Sequence, residues 1–363
     1  MRSKPDGAAA NYGRGGALRN ALPIDKDDRP RRGQVTTLVT GATGTVGSAV
    51  VSELLTAGRP VRALVRSVER ARPMLPGEVE LVQGDVTDPA SVLEAARGVT
   101  SVFHAAGLPE QWLLDAATFE RVNVDGTRNS VEAALSVGVE SYVYTSTIDV
   151  FEWPAHGTFD ESRLDRQPKS THYERSKQAA DRVVAEALGR GLPARFVHPA
   201  GVYGPAPVVT PGLNRLIASL ATNQIPMLLP GGMPVVHAED CARLHLAVEK
   251  APVGSRYIAS EGYHTLAELA EAVHAARPDA KVPRVLPQWV ARAVAESGEL
   301  IAKVTKKAPL VARGELSFLT HGVRPDAGRA QRDLGWTARP LGTGVAETVL
   351  AMDAAGQLRD HRH

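Results

Sequence analysis

Residues 35–47 read VTTLVTGATGTVG, and this stretch decides the fold. Its first half, Val35–Thr40, is apolar and β-branched, which indicates a buried strand of a parallel sheet. A glycine cluster ends the strand, and helical spacing of apolar residues then runs from Val46 to Ala57. A strand, a glycine-rich turn and a helix in this order predict the opening unit of an α/β domain.

The turn spaces its glycines as Gly41-x-x-Gly44-x-x-Gly47, one residue longer at the first interval than the dinucleotide-binding pattern Gly-x-Gly-x-x-Gly. Gly41 allows the tight turn, Gly44 lets the backbone approach a pyrophosphate, and Gly47 lets the helix pack closely on the strand. The helix N-terminus offers N–H groups to the phosphates. The alternative is a glycine turn without a ligand. The candidate cofactor-binding residues here are Gly41, Thr43, Gly44, Thr45 and Val46.

Further strand patterns follow the turn and alternate with helical patterns. The strands are predicted at Val61–Val65, Val79–Val82, Val99–His104, Ser141–Ser146 and Ala194–His198. One intervening helix has a clear start signal, with Asp88 as N-cap and Pro89 at the first helical position. The alternation predicts a Rossmann-type α/β fold, which is a doubly wound parallel sheet with helices on both faces.

The regular alternation ends after Gly204, where prolines interrupt the chain repeatedly up to Pro234. Shorter helical patterns, among them Leu266–Ala276 and Trp289–Val304, then predict a smaller C-terminal substrate-binding lobe. The predicted divisions are a disordered leader at 1–33, the NAD(P)-binding Rossmann domain at 34–205, the lobe mainly at 206–350 and a tail at 351–363. Residues from about 234 to 260 are expected to return to the first domain.

The composition excludes several classes of protein. Of the 363 residues, 43% are hydrophobic and 23% are charged, which is an ordinary globular composition. A net charge of +2 is too small to indicate a nucleic-acid partner. The sequence contains no apolar run of about 18 residues, so no integral membrane span is predicted. The single cysteine, Cys241, excludes a disulfide framework within the chain and gives no zinc pattern, so we expect no metal site and a reducing, cytoplasmic location.

The end of the second predicted strand bears on the choice of cofactor. Enzymes that use NAD place an acidic residue there for the ribose 2′-hydroxyl, whereas enzymes that use NADP favour an arginine. This strand ends Leu64-Val65-Arg66-Ser67, and the first acid is Glu69. Arg66 therefore favours NADP, with NAD as the alternative; a surface arginine without a ligand is the other interpretation.

Tyr173 and Lys177 are candidate catalytic residues because they lie four positions apart, on one face of a predicted helix. A nearby ammonium group stabilises a phenolate, so the phenol can exchange a proton with a carbonyl oxygen at neutral pH. The spacing alone is weak, since any solvated helix face can show it. The preceding strand ends in hydroxyl side chains, and Ser146 and Thr147 are candidates to hold the substrate carbonyl, unless they are ordinary strand-end caps.

With these residues in order, the chain resembles the extended short-chain dehydrogenase/reductases, also called the NAD-dependent epimerase/dehydratase family. The resemblance runs from about Val35 to Leu350. Its marks are Thr40-Gly-x-x-Gly-x-x-Gly47, Gly84-Asp85-Val86, His104-Ala105-Ala106-Gly107, Asn123-Val124-x-Gly126-Thr127, Tyr173-x-x-x-Lys177, Pro199-x-x-Val202-Tyr203-Gly204, His237-x-x-Asp240 and Leu334-Gly335-Trp336.

The resemblance implies further cofactor-binding residues. Asp85 and Val86 would contact the adenine, and the loop Ala105, Ala106 and Gly107 would line the two riboses. Asn123, Lys177 and Pro199 would also lie at the cofactor. Thr147 takes the position of the catalytic serine or threonine, with Ser146 beside it. The family usually has an arginine directly before Pro199, where this chain has His198.

The resemblance also bears on which reaction the protein catalyses. Ile148 follows Thr147 where sugar-nucleotide dehydratases have an acid, and the loop Phe151–Pro154 is apolar and aromatic. The chain looks most like the dihydroflavonol reductase-like and 3β-hydroxysteroid dehydrogenase-like members, which implies a ketone or secondary-alcohol oxidoreductase with a small, fairly apolar substrate. The alternatives are a nucleotide-sugar epimerase, with Arg215 or Arg313 as a diphosphate clamp, and a non-catalytic NADP-binding regulator. Homodimerisation is implied by the resemblance alone.

Overall fold

The computed structural model describes residues 36–109, 113, 115–154, 157–293, 316 and 319–358. The strands are β1 (Thr37–Thr40), β2 (Val61–Val65), β3 (Glu80–Gln83), β4 (Ser101–His104), β5 (Ser141–Thr145), β6 (Ala194–Pro199), β7 (Gly201–Tyr203), β8 (Met227–Leu228), β9 (Gly232–His237), β10 (Arg256–Ala259), β11 (Gly262–Thr265) and β12 (Arg284–Val285). The predicted leader at 1–33 and most of the predicted helix Trp289–Val304 lie outside the described residues, although 288–293 are helical.

Helices cover the sheet and build the lobe. They are α1 (Thr45–Thr56), α2 (Val68–Ala71), α3 (Pro89–Ala96), α4 (Ala117–Phe119), α5 (Gly126–Val137), α6 (His172–Leu188), α7 (Leu213–Ala221), α8 (Ala238–Ala247), α9 (Leu266–Ala276), α10 (Gly328–Leu334) and α11 (Leu341–Ala354). A π-helical segment, Glu120–Asp125, joins α4 to α5. Asp88 caps α3 as predicted, because its carboxylate accepts a hydrogen bond from the Ala90 N–H at 3.1 Å. Within the described residues, we find no helix that combines the length and the apolar character needed to cross a bilayer.

The central sheet is parallel throughout and runs in the order β3-β2-β1-β4-β5-β6-β10. This order confirms the predicted Rossmann-type, doubly wound fold. The strand β10, far along the chain, adds to the sheet beside β6. Because every strand points the same way, all their carboxyl ends meet at one edge of the sheet, where ligands bind in open α/β folds.

The strands read as continuous apolar runs because both faces of the sheet are buried. Val39, Val143 and Val197 pack on one face, where α1 and α8 lie. Leu38 and Phe196 point to the other face, which α3, α5 and α6 cover. Adjacent residues of one strand therefore enter different cores, which explains why apolar residues follow one another in the centres of these strands.

The lobe has a core of its own. In it, β9 pairs parallel with β7 and antiparallel with β11, and β8 pairs parallel with β12. The helices α7, α9 and α11 pack around these strands through Ile217, Val273 and Val345, each fully buried. Within the segment 234–260, β9 joins this smaller sheet while α8 and β10 join the central domain.

We predict that Gly47→Ala lowers the free energy of unfolding by about 1–3 kcal/mol, because overpacking a close contact between backbones costs that much. A Cβ at Gly47 would overlap the Gly41 carbonyl oxygen, and no flexible side chain is there to yield. The matched control is Gly342→Ala, since a Cβ at that position meets nothing within 4 Å. Urea unfolding of both variants tests this, and equal stabilities would contradict it.

Candidate active site

The glycine-rich turn forms a close-packed cradle at the carboxyl edge of the sheet. Gly41 has φ +72°, and a Cβ there would lie 2.7 Å from the backbone of Ala105 and Ala106. The helix α1 begins at Thr45, with Gly44 as N-cap and no side chain bonded to its first N–H groups. Those N–H groups remain directed out of the helix, as a phosphate requires. The cradle therefore fits the pyrophosphate of a dinucleotide.

A buried histidine holds the loop 105–107 against this cradle. The Thr127 hydroxyl donates to the Asn123 carbonyl at 2.6 Å, so His104 Nε2 must donate to the Thr127 oxygen, 3.1 Å away. His104 Nδ1 then accepts from the Thr40 hydroxyl at 2.8 Å, whose oxygen in turn accepts the Ala106 N–H at 3.3 Å. Burial lowers the pKa of His104 to about 3, so the ring is neutral, as this chain of hydrogen bonds requires.

Asn123 joins the same loop to the helix that carries the predicted catalytic pair. Its Oδ1 accepts the Leu108 N–H at 2.8 Å, and its Nδ2 donates to the Ser176 hydroxyl at 2.9 Å and to the Leu108 carbonyl at 3.4 Å. Both amide hydrogens are thus used within the protein. Asn123 lies in the π-helical segment, a distortion frequent at functional sites. Its contacts make it a residue that positions the site.

The residues predicted to hold the adenosine half of the cofactor lie at the same edge. Arg66 follows β2 and is exposed. Asp85 follows β3, and its carboxylate accepts hydrogen bonds from the Thr87 N–H at 2.9 Å and the Thr87 hydroxyl at 2.8 Å. Val86 packs close to Gly126, where a Cβ would lie 2.9 Å from the valine methyl. Pro199, which is predicted to lie near the nicotinamide instead, ends β6 and is buried.

The helix α6 begins with a capping box in which Thr171 and Glu174 cap each other's backbone N–H groups. The box fixes the first turn, which presents Tyr173 with its ring edge toward Phe119, at 6.3 Å between ring centroids. Lys177 follows one turn later and is buried, and its Nζ donates to the Thr145 carbonyl at 2.9 Å. The sequence spacing thus places Tyr173 and Lys177 one turn apart on α6, and Lys177 reaches the end of β5.

Burial lowers the pKa of Lys177 to about 8, and the carboxylates of Asp181 and Asp149 oppose that shift. The ammonium also lies 5.1 Å from the Tyr144 ring centroid, a cation–π contact, and 3.5 Å from its hydroxyl. Lys177 is therefore a charged group at neutral pH, held by one carbonyl and one aromatic face.

The two candidate hydroxyls at the end of β5, those of Ser146 and Thr147, donate to different carboxylates. Ser146 donates to the buried Asp181 carboxylate at 2.6 Å, and Arg256 of β10 forms an ion pair with the same carboxylate at 2.8 Å. The Ser146 hydroxyl is therefore committed to a buried network behind the site. Thr147 instead donates to the Asp149 carboxylate at 3.0 Å, one 3₁₀ turn further along the chain.

His198 links this network to Thr147. A carbonyl can only accept, so His198 Nδ1 donates to the Thr147 carbonyl, 3.2 Å away. A guanidinium can only donate, so His198 Nε2 accepts from Arg256 at 3.3 Å. Burial and the Arg256 charge hold the pKa of His198 well below its usual range, which keeps the ring neutral. The position usually held by arginine in the family thus carries a neutral histidine, with the guanidinium supplied by β10.

Aromatic residues line a cavity of about 210 Å³ formed by the segment after Thr147 and by residues 321–324. Trp153 and Phe159 contribute rings, Val323 contributes an aliphatic side chain, and His321 and Arg324 contribute polar groups. The Trp153 Nε1–H donates to the Ile148 carbonyl at 3.3 Å, which ties the cavity wall to the turn beside Thr147. The apolar loop noted in the sequence is thus part of this wall.

Two other polar features bear on the predictions. His237, Glu239 and Glu347 bring ligand atoms within 4.8 Å of one another, but Arg339 pairs with both glutamates, so a guanidinium neutralises them. Arg215, a candidate diphosphate clamp, is exposed on α7, and Arg313 lies outside the described residues.

Comparison with known proteins agrees with this geometry. The model of the NAD dependent epimerase/dehydratase family matches residues 37–259, more than half of the chain. Sterol demethylase protein B of Methylococcus capsulatus is 29% identical over 87% of this chain and 97% of its own length. A putative dihydroflavonol 4-reductase of Synechocystis is 26% identical over 86% and 92%. These matches confirm the resemblance drawn from the motifs.

A solved structure supports the fold. UDP-glucose 4-epimerase of Thermus thermophilus in complex with NAD superposes with a TM-score of 0.71, covering 88% of this chain and 100% of that one, at 24% identity. At this identity the likeness extends to the architecture alone.

We predict that the free energy of unfolding falls as the pH is lowered from 7 to 5. His104, His198 and His245 are buried and neutral, and their folded-state pKa values lie below the usual 6.5. A depressed histidine pKa contributes stability above about pH 6.5 that is lost as the pH falls, at up to about 1.4 kcal/mol per pH unit for each ring. Urea unfolding at pH 7, 6 and 5 measures the slope.

His104→Gln removes one of the three buried rings. The slope of the free energy of unfolding against pH should therefore become shallower by the contribution of that ring. The exposed His321 provides the control, because His321→Gln should leave the slope unchanged. A free energy of unfolding that stays constant between pH 7 and 5 would contradict the neutral assignments.

Proposed function

The chain belongs to the NAD-dependent epimerase/dehydratase family, and from this membership we propose that it is an oxidoreductase that moves hydride between a nicotinamide and a ketone or secondary alcohol. The observation that supports the proposal is that Lys177, one turn after Tyr173 on α6, donates to the carbonyl at the end of β5, two residues before Thr147, and that β5 and the glycine turn end at the same edge of the sheet. Two relatives are named for reactions on polycyclic molecules, one on a sterol and one on a dihydroflavonol. These names favour the oxidoreductase reaction over sugar epimerisation.

The chain's own residues hold and orient the cofactor in this proposal. The N–H groups at Thr45 and Val46 would hold the pyrophosphate, and the loop 105–107 would line the riboses. Lys177 keeps one donor beyond its bonds to the Thr145 carbonyl and the Tyr144 hydroxyl, and this donor would hold the nicotinamide ribose. The bound nicotinamide supplies or accepts the hydride. We also propose NADP as the preferred form, because Arg66 takes the place of the acid that binds a free 2′-hydroxyl.

Proton transfer falls to Tyr173. In ketone reduction its phenol donates a proton to the carbonyl oxygen, and in alcohol oxidation its oxygen takes that proton back. The Lys177 ammonium nearby stabilises the phenolate and so favours exchange at neutral pH. Thr147 holds the same substrate oxygen by a hydrogen bond. Ser146 is left out of this mechanism, since its hydrogen bonds to Asp181.

The aromatic cavity supports a fairly apolar substrate. Trp153 and Phe159 contribute aromatic surface to this cavity beside the polar side chains of His321 and Arg324, and Trp153 is tied to the turn beside Thr147 through the Ile148 carbonyl. A nucleotide-sugar epimerase remains the second candidate, because solved relatives with this architecture carry that name. A non-catalytic regulator would not need the tyrosine and lysine together. We further propose a cytoplasmic homodimer, on the family resemblance and the lone buried Cys241.

The test is a titration of the purified protein with NADPH and NADH, followed by a panel of polycyclic ketones, their alcohols and nucleotide sugars. Turnover of a ketone with a change in nicotinamide absorbance supports the proposal. Epimerisation of a sugar without net change in the nicotinamide would assign the protein to the second candidate instead. Failure to bind either cofactor would overturn both.

We predict that Tyr173→Phe lowers kcat for ketone reduction by about 10²–10⁴-fold, the usual contribution of a general acid. Binding of NADPH should stay within about twofold, because the change removes one hydroxyl from a partly exposed ring. Tyr263→Phe is the control, since that tyrosine lies in β11. Turnover of Tyr173→Phe at the wild-type rate would sink the assigned mechanism.

We predict that Arg66→Ala weakens NADPH binding by about 10–100-fold, because a hydrogen bond to a charged group contributes about 1.5–3 kcal/mol. NADH binding should change little. Arg97→Ala serves as the control, as this exposed arginine follows α3 and pairs with Glu94. Fluorescence titration of both nucleotides measures the ratio, and an equal loss for NADPH and NADH would rule out a 2′-phosphate contact.

A further inference from the structure

Asp149 is a buried carboxylate that neither the family resemblance nor the proposed reaction uses. It lies in the 3₁₀ turn Ile148–Val150, directly after the hydroxyl assigned to the substrate, and is 7% exposed. Its Oδ2 accepts the Thr147 hydroxyl at 3.0 Å, and its own N–H donates to the Thr147 Oγ1 at 3.3 Å. A buried acid is costly unless it is paired, and no ion pair of Asp149 is among the described contacts within 4 Å.

The charged groups around Asp149 act in opposite directions. Glu174 of α6 repels a charge on Asp149, while Lys169 before α6 and Lys177 on it attract one. Each lysine is already bound elsewhere, Lys177 to the Thr145 carbonyl and Lys169 to Asp165 and the Phe151 carbonyl. Burial is the largest influence and raises the pKa of Asp149 to about 7. Both protonation states are therefore populated near neutral pH.

We propose that Asp149 is a positioning residue that sets which way the Thr147 hydroxyl points, and through it whether that hydroxyl can donate a hydrogen bond to the substrate oxygen. This inference rests on the proposed function. Its basis is geometric. Asp149 and Thr147 share two hydrogen bonds, which leave the Thr147 hydroxyl oxygen one further position for a hydrogen bond.

The hydrogen bonds can be counted for each state. When Asp149 is ionised, it accepts the hydrogen bond of the Thr147 hydroxyl, and that hydroxyl has no hydrogen left to donate to the substrate oxygen. When Asp149 is protonated, its acid hydrogen donates to Thr147 Oγ1, the Asp149 N–H fills the other lone pair, and the Thr147 proton turns to a substrate ketone. Asp149 neither gains nor loses a proton in turnover, since Tyr173 exchanges the substrate's proton and the nicotinamide its hydride.

The experiment compares pH profiles of kcat/KM for ketone reduction in the wild type and Asp149→Asn. In the wild type, kcat/KM should fall about tenfold between pH 6 and 8, as expected for a required acid that titrates near 7. An asparagine does not titrate, so Asp149→Asn should lose this contribution to the profile. Any pH dependence from Tyr173 is common to both proteins.

Glu152→Gln is the matched control, because this acid lies in the same segment but is half exposed and pairs with Arg163. It should keep the wild-type profile. Thr147→Val should lower the rate, and adding Asp149→Asn to it should have no further effect on the profile. An Asp149→Asn enzyme that keeps the wild-type profile would overturn the proposal.

A second readout does not depend on turnover. The infrared band of a protonated carboxyl should disappear with a midpoint near pH 7 in the wild type, be missing in Asp149→Asn and move its midpoint in Thr147→Val. A midpoint unaffected by Thr147→Val, or no such band, overturns the shared hydrogen bond. If the wild type turns over no ketone or alcohol, the proposed function fails, and the infrared titration alone decides whether the two residues are coupled.

Discussion

The close approach of backbones at the glycine turn is the constraint on which the rest of the site depends. Gly41 lies against the loop 105–106, and Gly47 lies against the Gly41 carbonyl, so β1, α1 and the loop after β4 meet without intervening side chains. This contact fixes where α1 begins and where the loop after β4 leaves the sheet. Asn123 then extends the constraint from that loop to Ser176 on α6, between the tyrosine and the lysine.

Neutral histidines carry the constraint into the sheet. The His104 ring is hydrogen-bonded to Thr40 on one side and to Thr127 on the other. The His198 ring joins Arg256 to the Thr147 carbonyl in the same way. In each case the partners dictate one tautomer, and a second proton would have no acceptor. A buried chain of hydrogen bonds lowers stability when one of its groups lacks a partner. When every group is paired, it specifies one arrangement of the side chains. Two of the side chains that support the catalytic edge must thus remain uncharged.

The sequence predicted what depends on neighbouring residues. Strand patterns, the Asp88 cap, the glycine turn and the spacing of Tyr173 and Lys177 are local, and the structure has them where they were expected. The commitment of Ser146 to Asp181 was missed, because Arg256 must arrive from β10, 75 residues after that aspartate. Asp149 was noticed without a role, since only its burial beside Thr147 and Glu174 gives it one.

Arg339 has a consequence for how the molecule moves. Its guanidinium pairs with Glu239 and Asp240 of α8 and with Glu347 of α11, and the nearby Trp336 donates to the Asp240 carbonyl at 2.8 Å. If α11 moved away from α8 and drew Arg339 with it, the fully buried Asp240 carboxylate would keep only Arg243 of its two ion-pair partners. Arg339 therefore opposes the separation of the two helices.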